Sequence, residues 1–115
     1  QRCAWALAQV YVVSDGDVTP ASTEAHAAFY DIFVRHAFGS LRDVLREISY
    51  SPLMARYLTF HGNARFDGHT YPDENYAREL MQLFTIGLHG LDDGGAADAG
   101  APAYGTDHIL DYSRV

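Results

Sequence analysis

The stretch PDENYARELMQLFTIGL, residues 72–88, decides the fold class of this chain. Pro72 suits the first position of a helix, where its missing N–H is not needed. Asp73 and Glu74 then fall in the first turn, where the helix dipole favours negative charge. Tyr76, Leu80, Leu83, Phe84 and Gly87 recur at helical spacing and predict one buried edge, and Gly87 or Gly90 supplies the stop. The other positions carry a dense set of hydrogen-bonding side chains. Glu74 and Arg78 are spaced i, i+4, as are Asn75 and Glu79, so each pair can meet on the helix surface.

Towards the N-terminus the same punctuation repeats. Residues 61–71, HGNARFDGHTY, lack a sustained apolar stripe and read as a loop. Before them, Ser51-Pro52 is a cap followed by proline, opening a short helix with Leu53, Met54, Tyr57 and Leu58 inward. Ser40-Leu-Arg-Asp43 resembles a capping box with Asp in place of Glu or Gln. It opens a helix with Leu41, Val44, Leu45 and Ile48 inward, and with Asp43 and Arg46 able to pair outside. Thr19 before Pro20 starts a helix near 20–37, with Ala25, Ala28, Phe29, Ile32, Phe33 and His36 on one face and Gly39 as its end. Between residues 2 and 13, Cys3, Leu7, Val10 and Tyr11 follow helical spacing, and Trp5 and Val12 make the pattern apolar nearly all round. That predicts a central helix with a buried Cys3 thiol. A break near 14–19 separates these two helices.

Towards the C-terminus, residues 89–105 hold five Gly and three Asp, which predicts a long, mobile loop that can hold a weak hairpin. Thr106 can cap a last helix with Ile109, Leu110 and Tyr112 on its apolar face. The pattern as a whole predicts an all-α fold of about six helices with two long loops.

With 115 residues, 48% of them hydrophobic, the chain is long enough for one core, which places 1–115 in a single helical domain or part of one. Gln1 is not an initiator methionine, and an amphipathic pattern is still running at Val115. The expectation is an internal fragment whose first partner is the remaining part of its own domain. Eight basic residues against fifteen acidic ones give a net charge of −7, which argues against nucleic acid as a partner because phosphate binding needs clustered positive charge. No apolar run approaches the roughly 18 to 20 residues that span a bilayer, so these residues are expected to be soluble. The single Cys3 cannot form an internal disulfide.

Two sets of residues are candidates for chemistry. Asn75, Arg78 and Glu79 either fasten the start of their helix to neighbouring loops or point into a cleft. There, Glu79 would act as a general base or ligand and Arg78 would hold an anion. His61, Asp67 and His69 are chemically suited to zinc or another divalent metal, although the helical H-E-x-x-H spacing and paired cysteines are absent. Asp92, Asp93 and Asp98 lack the ligand pattern of an EF-hand and read as a solvated turn. His26, His36, His89 and His108 stand alone. There is no G-x-S-x-G elbow, no phosphate loop with Lys and no dinucleotide fingerprint, so no cofactor is implied.

The order WALAQVYVVS, FYDIFVRHAFGSLRDVLREIS, SPLMARYL, PDENYARELMQLFTIGL, DHILDYSRV resembles the bacterial family known as domain of unknown function 1800 over nearly the whole chain. ENYAREL-x-QLFTIG is the most specific piece. It places Asn75, Tyr76, Ala77, Arg78 and Glu79 at signature positions, and residues 91–101 where members vary in length. The resemblance implies a mainly helical protein several times longer than this chain, often starting with an export signal and therefore periplasmic or secreted, with no activity established for the class. Three functions remain open: a helical structural or interaction module of an exported protein with a protein partner, a hydrolase-type or metal-assisted enzyme only partly contained in these residues, or small-ligand or carbohydrate binding.

Overall fold

The computed structural model describes residues 1–14 and 20–114, with backbone alone at 20, 21, 99 and 101. Thr19 and most of the break at 14–19 therefore lie outside the described residues. The chain divides into two compact units, Gln1–His61 and Gly62–Val115, each with its own core.

In the first unit the helices are α1 (Arg2–Val10), α2 (Pro20–Arg35), α3 (Leu41–Ser49) and α4 (Pro52–Tyr57). The central element is α2, which α1, α3 and α4 all contact. That corrects the placement of α1 at the centre. Because α1 packs chiefly on α2, one stripe suffices: Ala4 is buried and Leu7 and Ala8 are partly so, with Tyr11 buried just past the helix end. The expected stripe is displaced by one residue, which leaves the Cys3 thiol exposed rather than buried and Trp5 62% exposed. Phe33 is fully buried; the Tyr11 ring stacks on it at 5.9 Å and Phe29 meets it edge-on at 5.2 Å. Burial of a side chain of this size contributes about 2 to 3 kcal/mol.

The joints follow the sequence signals closely. The Ser40 hydroxyl accepts from Arg42 N at 3.2 Å and caps α3, with Asp43 in its first turn. Val44 and Ile48, one turn apart, are buried, whereas Leu41 at the first helical position is exposed instead of inward. Pro52 opens α4, and Ser51 N donates to Ile48 O at 3.1 Å, so the α3–α4 joint is tight. Met54 and Leu58 face the core, while Tyr57 is exposed. After α4, Thr59 adopts φ 64°, a left-handed conformation that β-branched residues disfavour. His61 N then donates to Ala55 O at 2.8 Å.

The second unit contains α5 (Asn75–Glu79), a π-helical turn (Leu80–Thr85), the strands β1 (His89–Leu91) and β2 (Ala97–Pro102), and α6 (Thr106–Ser113). The first helical residue after the loop is Asn75, not Pro72. Asp73 and Glu74 precede the helix, and Asp73 Oδ1 accepts from Asn75 N at 2.8 Å. The continuation is not α-helical: Ile86 N bonds to Met81 O, five residues back, at 2.9 Å, and the Thr85 hydroxyl donates to Leu80 O at 2.7 Å. The wider turn changes which side chains face inward. Tyr76, Ala77, Leu80, Met81 and Phe84 are buried, and Leu83, expected on the buried edge, is 62% exposed. Gly87 ends the segment at φ 83°, where a side chain would be strained.

The fold is mainly helical rather than all-α, because β1 and β2 pair antiparallel, with His89 opposite Pro102, Leu91 opposite Ala97 and an irregularity between. Asp92 closes their connection: its Oδ1 accepts from Gly94 N at 2.9 Å and Ala96 N at 2.8 Å. Gly105, not Thr106, occupies the cap of α6, and its N–H donates to His108 Nδ1 at 3.0 Å. Ile109 is buried with Ala77 and Met81, and Tyr104 packs against them; Tyr112 is exposed.

Candidate functional site

The start of α5 is held by side chains on both sides. Asn63 Nδ2 donates to Asp73 O and Asn63 Oδ1 accepts from Asp73 N, each at 3.2 Å, so one side-chain amide imitates a rung of backbone pairing. Asp73 in turn caps Asn75 through its carboxylate. One turn on, the Arg78 guanidinium donates to the Glu74 carboxylate, the i, i+4 pair that the spacing predicts. Arg78 thus has an anionic partner within its own segment.

Glu79 differs. Its Oε2 is buried without a hydrogen-bond partner among the described residues, so a contact with Asn75 does not occupy that oxygen. The π-helical turn begins at the next residue. Buried orphan acceptors are rare in folded proteins, and π-helical turns recur near functional positions. Among Asn75, Arg78 and Glu79, then, two have roles at the start of the helix and one carries an unsatisfied atom.

Among the described residues no group of three or more His, Cys, Asp or Glu is placed to hold a metal ion. Asp67 has a local partner set, since its Oδ1 accepts from Thr70 N at 2.7 Å and His69 N at 2.8 Å. Those two backbone bonds, Thr70 first, lower the carboxyl pKa from its ordinary value. Asp98 makes the same kind of turn contact, its Oδ1 accepting from Gly100 N at 3.1 Å.

Two constellations carry no sequence signature. On the first unit, Glu47 joins α3 to the end of α2: Oε1 meets His36 Nε2 at 2.6 Å, and Oε2 accepts from Arg35. The bond from His36, and then that from Arg35, hold the Glu47 carboxyl below its usual pKa. Glycine at 39 was the available hint, because a short turn folds α3 back along α2. On the second unit, the Arg114 guanidinium lies 4.9 Å from the ring centres of both Phe66 and Tyr71 and donates to the Tyr71 hydroxyl at 2.7 Å. This cation–π contact ties α6 to the loop before α5.

A mainly helical chain with an internally fastened ENYAREL helix running into a π-helical turn is the class these features define. The chain belongs to the family described as protein of unknown function (DUF1800), whose family model matches residues 1–115. No curated protein and no solved structure matches the chain. No helix among the described residues is long and apolar enough to cross a membrane.

Proposed function

We propose that this chain is a helical structural and interaction module of an exported protein. The observation that carries the reading is that polar side chains around the start of α5 are used internally. Arg78 is paired with Glu74, and Asn63 and Asp73 hold the start of α5. Supporting the interaction part, Leu83, Ile86, Leu88 and Leu91 are all exposed within one short segment, a density of apolar side chains that favours a protein partner. The export part rests on the family resemblance.

A second reading, a hydrolase-type or metal-assisted enzyme, is favoured by one observation, the unpartnered Glu79 Oε2. Thermal unfolding of Asp73→Ala and Glu79→Ala in the full-length protein separates the two. The module reading expects both variants to melt at lower temperature. A Glu79→Ala protein with unchanged melting and abolished hydrolytic activity would overturn it in favour of the enzyme. Leu83→Asp together with Ile86→Asp should keep the fold and lose cross-links to the protein partner in intact cells. Cell fractionation tests export, and a protein confined to the cytoplasm would remove that part.

A further inference from the structure

We propose that a groove on the first unit binds a neutral sugar ring. The groove lies along the end of α2 and the outer side of α3, is lined by His36, Asp43, Arg46, Glu47 and Tyr50, and has a volume of about 390 Å³. Ligand pockets run from about 300 to 1,000 Å³, so this one suits a molecule the size of one or two sugar rings.

Three features of the lining select that chemistry. Tyr50 is 81% exposed and offers an aromatic face for the apolar C–H side of a pyranose. Asp43 and Arg46, less than one turn apart on α3, make no side-chain hydrogen bond or ion pair among the described residues, which leaves a two-oxygen acceptor and a donor fork for neighbouring hydroxyls. Glu47 and His36 are fixed by their mutual bond, and Glu47 also by Arg35. The Nδ1 nitrogen of His36 is not the one that Glu47 engages.

Charge decides between a neutral and an ionic ligand. Among the lining side chains the carboxylates of Asp43 and Glu47 outnumber the single guanidinium of Arg46, and Arg35, which pairs with Glu47, is not one of them. A phosphate or carboxylate ligand would meet two like charges in the groove. A polyhydroxylated neutral ligand meets planar donors and acceptors without that repulsion.

The test is amide NMR titration of the full chain with methyl β-glucoside, N-acetylglucosamine and galactose, with glucuronate and inorganic phosphate as charged probes. At least one neutral sugar should bind with Kd of about 1 to 10 mM, with shifts centred on residues 43–50. Tyr50→Ala and Arg46→Ala should each weaken binding tenfold or more, Tyr50→Phe should retain it, and Trp5→Ala should leave it unchanged. Because Tyr50 is exposed, its variants should keep the wild-type melting temperature. No localised shift with any neutral sugar, tighter binding of the charged probes, or equal binding by Tyr50→Ala would each overturn the proposal.

Discussion

Arg78 donates to the carboxylate of Glu74 one turn earlier, and the two side chains keep 38% and 35% of their surface exposed. The pair is therefore solvent-screened and modest. A double-mutant cycle with Arg78→Ala and Glu74→Ala should give a coupling of about 0.5 kcal/mol that declines with added salt. A coupling several times larger and insensitive to salt would contradict this geometry.

Asp73 and Asn63 act on the same few residues at the start of α5, so their contributions should overlap. Asp73→Ala removes the bond that its carboxylate accepts from Asn75 N and should cost about 1 kcal/mol in denaturant unfolding, the size of a typical hydrogen bond. Adding Asn63→Ala should cost less than it does alone, because the Asn63 amide holds the backbone that presents that carboxylate.

In the first unit, Phe33 is fully buried between Tyr11 and Phe29. Phe33→Ala should destabilise the chain by about 3 to 5 kcal/mol, the range for removing a buried aromatic ring. Near-ultraviolet circular dichroism should lose intensity with it, since two aromatic contacts end on that ring.

Acid should weaken the α2–α3 joint in a defined direction. Glu47 has a lowered pKa in the folded chain through its bonds from His36 and Arg35. Its contribution is accordingly present above the ordinary carboxylate pKa and is lost as pH falls through the lower, folded value. Melting temperature measured from pH 7 down to about pH 3 should decline less steeply in Glu47→Gln than in the wild type. Parallel curves would remove Glu47 from the acid response.

Gly87 provides a fifth site for a stability measurement. At φ 83° it has open space around the position of a Cβ, so only backbone strain opposes a side chain. Gly87→Ala should cost about 1 kcal/mol, and Gly87→Asn less.

Much of the architecture was legible because it depends on local signals. Pro20, Ser40 and Pro52 mark helix starts by capping and by fixed φ, and Gly87 marks an end by its left-handed backbone. The face of α1 was not legible, because a helix apolar on most sides gives no phase, and packing on α2 selected Ala4 over Cys3. The outward turn of Leu83 depends on a π-helical turn, which periodicity at 3.6 residues cannot register. The weak hairpin expected within residues 89–105 does form, in a Gly-rich stretch of little β propensity, and turn bonds to Asp92 hold it. At the candidate site, the spacing of Glu74 and Arg78 foretold their contact, whereas the orphan Glu79 oxygen and the Glu47–His36 bond depend on burial and on how successive helices lie together.

A π-helical turn accommodates more chain per turn than an α-helix, and the one at Leu80–Thr85 lies between two fixed ends, the Asp73 cap and the left-handed Gly87. Excision of Gln82 would let the turn close as an ordinary α-helix. What the geometry of the turn governs is the rotational phase at which Leu83 and Ile86 are presented outward.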